Sequence, residues 1–228
     1  MTALIIATGN RHKLGEIAAI LGNRYRFLTL HDFPEARAAV EDQPTFAANA
    51  MKKARDLARW MQGVGGLDFR IPSANALVLA DDSGLEVDAL KGAPGVHSAR
   101  FAALDGRAAT AATTNSADAS NNAKLLELLK EVPEGKRQAR FRCALASIRV
   151  KPPQSVLAGQ TFEGTCEGRI QSVARGQGGF GYDSLFVPLG YNQSFAELSA
   201  SVKNRSSHRA KALEGLKQHF ASTARRGR

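Results

Sequence analysis

Residues Ala76-Leu77-Val78-Leu79-Ala80 are apolar without interruption and lead directly into Asp81-Asp82-Ser83-Gly84. The apolar run reads as a buried strand. The acidic end of that run is unusual. Two adjacent like charges must be solvated, paired or bound to a cation. Oxygen ligands at the end of a strand suit a hard divalent ion such as Mg²⁺, and in α/β proteins the carboxyl ends of strands are where ligands bind. Asp and Ser are also ordinary turn residues. On this segment alone, a polar turn and a cation site both stand.

The remaining pattern places this strand in an α/β fold. Leu4 to Ala7 is a second continuous apolar run and reads as a central strand, with Thr8-Gly9-Asn10 as the turn after it. A helix comes next, with Leu14, Ile17, Ala18 and Leu21 on one face and Gly22 as its stop. Tyr25 to Leu30 reads as a strand. Pro44-Thr45 opens another helix, capped by Thr45, with Phe46, Ala47, Ala50, Ala54, Leu57, Ala58 and Met61 facing inward. Gly63, Gly65 and Gly66 end it, and Gln62 to Asn75 reads as a surface loop. After the Asp-Asp turn, Leu85, Val87 and Ala89 alternate as in a half-buried strand. Lys91 to Gly95 is a turn cluster, and Ala108 to Ser120 reads as a flexible insertion. Asn121 to Val132 is a helix closed by Pro133. Arg140 to Val150 and Val156 to Ile170 are long strands joined by a Pro152-Pro153 turn. Leu185 to Val187 is a short strand, Ser207 to Phe220 the last helix, and Arg225 to Arg228 a frayed tail. This order predicts an α/β domain with a mixed sheet rather than a simple doubly wound one.

Composition limits the alternatives. A length of 228 residues, 43% hydrophobic and 23% charged, suits one large or two-lobed domain with a real core. No apolar run approaches a membrane span, and the apolar start is too short and lacks the basic residues of a signal peptide. Cys143 and Cys166 have no metal-ligand spacing and read as buried free thiols, so a cytoplasmic location is expected. The net charge of +10 points to an anionic partner: nucleic acid, a membrane face or a phosphorylated small molecule.

Three further constellations accompany the Asp pair. Thr8-Gly9-Asn10-Arg11-His12-Lys13 joins a strand to a helix, where free N–H groups attract anions and Gly9 permits close approach. It lacks the GK[ST] ending of a Walker A loop. Gly176-Gln177-Gly178-Gly179-Phe180-Gly181-Tyr182-Asp183 sets an aromatic ring on a glycine-flanked loop, a platform on which a base can stack for roughly 1–3 kcal/mol. A bulge with Phe180 tucked into the core is the plain alternative. Lys203-Asn204-Arg205-Ser206-Ser207-His208-Arg209 is basic and ends at the last helix, and His208 by itself reads as a surface histidine. Glu41, Asp42, Asp81 and Asp82, with Lys53, could meet around one metal ion.

Together and in this order, these segments closely resemble the inosine/xanthosine triphosphate pyrophosphatases. The resemblance rests on Ala7-Thr8-Gly9-Asn10 with Lys13, on Glu41 with Thr45-Phe46 and Asn49-Ala50, and on Lys53-Ala54-Arg55. It continues through Ala80 to Leu85, Gly92 to Val96 with Ser98-Ala99-Arg100, Gln138 to Phe141, Gly178 to Asp183, and Lys203 with Ser207-His208-Arg209. Two positions depart from the pattern: the usual glycine two residues before Thr45 is Gln43, and the acidic residue common just before Asn49 is Ala48.

The resemblance implies a single two-lobed domain over residues 1–228, with an elongated mixed twisted sheet flanked by helices and a central cleft. It implies Mg²⁺-dependent hydrolysis of ITP, dITP and XTP to the monophosphate and pyrophosphate, by a homodimer with no membrane or specific nucleic-acid partner. By position, Thr8, Gly9, Asn10, Arg11, His12 and Lys13 look like a phosphate-binding turn, and Lys53 like a further cation for the triphosphate. Glu41 and Asp82 look like metal ligands, with Asp82 also activating water. Ser83, Phe180, Gly181, Tyr182, Asp183, Lys203, His208 and Arg209 look like substrate, base and sugar contacts. The rivals are a pyrophosphatase of other base preference and a basic nucleic-acid-binding protein. No DNA or RNA motif supports the second.

Overall fold

The computed structural model describes residues 2–63, 76–104, 115–150, 155 and 157–226. Six strands form one sheet: β1 (Thr2–Ile6), β2 (Tyr25–Thr29), β3 (Ala76–Val87), β4 (Gln138–Arg149), β5 (Gly159–Ile170) and β6 (Phe186–Pro188). Their order is β2-β1-β3-β4-β5-β6. β1 pairs in parallel with β2 and β3, with Leu4 opposite both Phe27 and Leu77. β6 runs antiparallel to β5 with Val187 opposite Arg169, so the sheet is mixed, as the element order predicts. The helices are α1 (Arg11–Leu21), α2 (Phe46–Gly63), α3 (Asp118–Leu129), α4 (Ala200–Ser206) and α5 (His208–Arg226).

The chain divides into two compact units. The first holds Met1–Asp82, Ala144–Glu163 and Lys211–Arg228; the second holds Ser83–Cys143 and Gly164–Ala210. In the first, β1 buries Leu4, Ile5 and Ile6 completely, as expected of a strand covered on both faces. Ile17 of α1, Ala50, Ala54, Leu57 and Met61 of α2, and Leu213 and Leu216 of α5 complete that core. The α2 residues recur at helical spacing, which fixes the face that turns inward. In the second unit, Leu85, Val87, Phe101, Leu125, Leu129, Phe141, Ile170, Leu185, Phe186 and Phe195 form one cluster. Its aromatic rings pack at 4.7 Å (Phe141–Phe186) and 5.4 Å (Phe186–Phe195) between centroids, within the favoured range.

Several expectations need correction. Asp81 to Gly84 is not a turn: β3 continues through it to Val87, merging two expected strands into one. The alternation then stops, because Asp88–Leu90 is a 3-10 turn. α3 begins at Asp118, three residues earlier than the leucine pattern indicates, and ends at Leu129. Ser199 caps α4, a short helix inside a stretch whose sequence reads only as basic. α5 reaches Arg226, so Arg225 and Arg226 are helical. The expected loop loses Gln62 and Gly63 to α2; its remainder, residues 64–75, lies outside the described residues, as do 108–114 of the second insertion and the Pro152-Pro153 turn. Both cysteines are buried and outside any disulfide, as expected. Among the described residues no helix is long and apolar enough to cross a membrane.

Candidate functional site

Consecutive side chains on a strand point to opposite faces. Asp81 and Asp82 therefore diverge, and each meets an ammonium from a different helix. Lys13 Nζ of α1 lies 2.6 Å from Asp81 Oδ1, and Lys53 Nζ of α2 lies 2.7 Å from Asp82 Oδ1. Lys53 also reaches Glu41 Oε1 at 2.9 Å, so one ammonium bridges two carboxylates from separate segments. Asp81 and Asp82 are buried at 1% and 4% exposure, where an unpaired ion is untenable. The pairing explains why two acids can sit inside a strand.

Asp82 is nevertheless not fully satisfied. Its Oδ2 is buried and has no hydrogen-bond partner among the described residues. Burial pushes the Asp82 carboxyl above its ordinary value; Lys53 and Lys13 pull it down, Glu41 pushes it up, and the net direction is upward. For Lys53, burial alone would lower the ammonium, but Asp82 and Glu41 overcome it and hold it above the usual lysine value. An orphaned carboxylate oxygen beside a second carboxylate fits a divalent cation. No group of three or more His, Cys, Asp or Glu is clustered for a metal among the described residues.

Two local devices hold these groups. Thr45 Oγ1 accepts from Ala48 N at 3.2 Å, capping α2 as its sequence predicts. Asn49, 1% exposed, grips the peptide backbone of Gln43: its Oδ1 accepts from Gln43 N at 2.9 Å and its Nδ2 donates to Gln43 O at 3.3 Å. This fixes the irregular segment that carries Glu41. In the turn before α1, Asn10 is the cap, and its Oδ1 accepts from His12 N at 2.9 Å and Lys13 N at 3.1 Å. Two of the amides expected to face an anion are thus engaged by Asn10. Arg11 and His12 are exposed, and a methyl added at Gly9 would meet nothing within 4 Å among the described residues, so no packing seen there demands glycine.

The second unit assembles a different group. Lys203 Nζ lies 2.5 Å from Asp183 Oδ2, both side chains being buried, and 4.9 Å from the centre of the Phe180 ring. Asp183 Oδ2 also accepts from Phe180 N at 2.8 Å. Arg209, 1% exposed, donates from Nη2 to Ser83 Oγ at 2.9 Å and sets its guanidinium 5.9 Å from the Phe180 ring centre. Half-buried Phe180 is thus a ring flanked by two cations. Gly179 and Gly181 both have positive φ (74° and 61°), which the tight loop around Phe180 requires.

The other sequence-derived residues take supporting places. The Tyr182 hydroxyl donates to Ser98 O at 2.9 Å; burial, and then Asp118, push its pKa upward. His208 is buried and stacked on Phe141 at 4.8 Å, not a surface histidine. Four residues that shape these groups are not among the candidates the sequence yields: Asn49, Ser98, Asp118 and Asn122. Asn49 and Ser98 stand within the motifs that carry the resemblance. Asp118 lies inside the Ala-, Thr-, Ser- and Asn-rich stretch read as an insertion, and Asn122 is one polar position of the expected helix, so neither carries a functional signal of its own.

A model of the Ham1 family matches residues 4–219. A dITP/XTP pyrophosphatase of Desulforamulus reducens is 45% identical over 212 residues, 92% of each chain. That of Pseudomonas aeruginosa is 43% identical over 218 residues, covering 95% of this chain and 96% of its own. Among solved structures, a HAM1 protein from Coxiella burnetii superposes with a TM-score of 0.76 at 33% identity, covering 97% of this chain and 100% of that one. The nucleoside-triphosphatase / dITP/XTP pyrophosphatase from Mycobacterium abscessus gives 0.65 at 34%, covering 94% and 98%. The match runs from the first strand into the last helix and takes in both groups of side chains described above, so this chain belongs to the Ham1 family.

Proposed function

We propose that this protein hydrolyses deaminated purine nucleoside triphosphates (dITP, ITP and XTP) to the monophosphate and pyrophosphate, cleansing the nucleotide pool. The observation that carries the reading is the buried Asp82 carboxylate, which shares Lys53 with Glu41 and keeps one oxygen without a hydrogen-bond partner among the described residues. The names of relatives at 43–45% identity support the substrate class.

Glu41 and Asp82 would hold Mg²⁺. When bound, the ion would neutralise phosphate charge and lower the pKa of a bound water. The chain's own groups do the positioning. Lys13 and Lys53 bring ammonium charge to the triphosphate; each has three donors and retains capacity beyond its carboxylate partners. Thr8 to His12 supply an exposed polar turn at a helix start, where negative charge is favoured. Asp82 Oδ2 accepts a hydrogen bond from the attacking water and orients it. Phosphoryl transfer depends mainly on such placement and on charge stabilisation.

Base choice is a matter of donors. Hypoxanthine and xanthine carry an acceptor at position 6, where adenine carries an amino donor. Arg209 can only donate. Beside the Phe180 ring it pairs with O6 of a stacked base, and Lys203, Asp183, Tyr182, Gly181, Ser83 and His208 shape that pocket. An unmatched donor costs about 1–3 kcal/mol. That residues 1–228 act as one functional domain belongs to this reading and rests on the family resemblance. Mg²⁺ and a homodimer belong to this reading and rest on the family resemblance; a cytoplasmic location belongs to it too and rests on cysteine usage.

The test is pyrophosphate release from dITP, XTP, dGTP and ATP, with and without Mg²⁺. The reading expects fast, metal-dependent release from dITP and XTP and slow release from ATP, with dGTP testing whether more than O6 is read. Release from a different set of nucleotides would keep the chemistry and overturn the base assignment, and no release from any would overturn the function.

A further inference from the structure

The backbone around Phe180 is held more completely than a surface loop requires. Water satisfies most polar groups of an exposed loop. Here all four polar backbone groups of the Phe180-Gly181 pair have partners within the chain. Phe180 N donates to Asp183 Oδ2 at 2.8 Å, and Phe180 O accepts from Asp183 N at 3.3 Å. Gly181 N donates to Asp118 Oδ2 at 2.6 Å, and Gly181 O accepts from Asn122 Nδ2 at 3.1 Å. Asp118 and Asn122 stand four apart on α3, the spacing that puts two side chains on one helix face. They close on the Gly181 peptide from its donor and its acceptor side.

The helix carrying this clasp is itself fastened. Asn121 accepts from Ala102 N at 2.8 Å and donates to Ala99 O at 3.3 Å. Lys124 Nζ donates to Phe101 O at 2.7 Å and lies over the Phe101 ring. α3 is thus tied by one side to the segment Gly95–Leu104 and by another to the loop.

We infer that Asp118 and Asn122 are positioning residues for base recognition: they touch the Gly181 peptide, not the base, and fix the plane of the Phe180 ring. The inference rests on the reading of Phe180 as the base platform. A stacked base and a donor such as Arg209 reach good geometry together only if the ring does not tilt, and misplacement by about 1 Å is enough to lose about 100-fold in rate. Asp118→Ala and Asn122→Ala therefore free the ring and weaken discrimination between bases. Asp118→Asn retains an acceptor for Gly181 N and should behave as wild type.

The experiment has two arms. Amide hydrogen exchange across residues 176–183 reads the clasp without any substrate. Competitive inhibition by inosine monophosphate, which carries the base, is set against that by inorganic tripolyphosphate, which carries none. The expected result for Asp118→Ala and Asn122→Ala is faster exchange, about 10-fold weaker inhibition by inosine monophosphate, unaltered inhibition by tripolyphosphate, and recovery in Asp118→Asn. Unaltered exchange, or equal weakening towards both inhibitors, overturns the inference. Should Asp118→Ala fail to fold, Asn122→Ala and Asp118→Asn still decide it. If wild-type protein binds tripolyphosphate but not inosine monophosphate, the base reading of Phe180 fails instead, while the exchange arm still judges the clasp.

Discussion

The two groups of functional side chains solve the problem of buried charge in opposite ways. In the first unit, Asp82, Glu41 and Lys53 form an unclosed arrangement: two carboxylates share one ammonium, and a buried carboxylate oxygen is left over. In the second, Asp183 and Lys203 form a buried pair whose carboxylate also caps Phe180 N, beneath an aromatic ring. The first is held short of saturation and calls for a further cation or water. The second completes itself and presents a ring. On the proposed reading, the unsaturated group carries the chemistry and the saturated group is the rigid surface against which the base is read.

The difference can be broken from either side. Asp82→Asn removes the orphaned acceptor, and the expected loss in pyrophosphate release from dITP is about 100- to 10,000-fold, with the fold retained because Lys53 keeps Glu41. Retained turnover would remove Asp82 from the mechanism. Lys203→Met strikes the saturated group and leaves Asp183 buried without its ammonium. Urea unfolding should show a loss of about 3–5 kcal/mol. A loss no larger than that from cutting the exposed Lys52–Asp42 pair would show that Asp183 is readily resolvated. Arg209→Ala should narrow the gap in kcat/KM between dITP and dATP by about 1–3 kcal/mol, and an unchanged ratio would refute its reading of O6.

The smallest effect concerns His97. Burial, and then Arg100, hold its imidazole below 6.5, and its Nδ1 is buried with no hydrogen-bond partner among the described residues. The unfolded chain takes up the proton first on acidification, so this group's contribution to stability is present above about pH 6.5 and is lost as pH falls through the folded value. His97→Gln should therefore flatten the fall in thermal midpoint between pH 7 and pH 5. An identical slope in both proteins would mean that other groups carry it.

Much of the fold is written locally. The apolar runs at Leu4 and Ala76, the inward face of α2 and the cap at Thr45 come directly from period and residue type. What local pattern could not show is burial of charge. Asp81 and Asp82 read as a turn because acids terminate strands, and the strand continues only because Lys13 and Lys53 arrive from distant helices. α4 is hidden by its basic composition, since Ser199 as a cap is one weak signal before a short helix. The candidate site is legible through its motifs, but the division of labour within it is not. Tyr182 and His208 are packed against Ser98 and Phe141, while Asp118 comes from the expected insertion and Asn122 from a polar position of the expected helix.

The grip of Asn49 on Gln43 has a consequence for how this sequence can drift. Asn49 reads the peptide at position 43 and ignores its side chain, which turns instead to Asp42. Gln43 also lies outside the left-handed backbone region, where a side chain would be strained. The segment bearing Glu41 is thus registered by its backbone, so the side chain at 43 is interchangeable while the side-chain amide at 49 is not. Two neighbouring positions in space thus carry opposite freedoms, one open to exchange and the other locked, though both serve the same carboxylate.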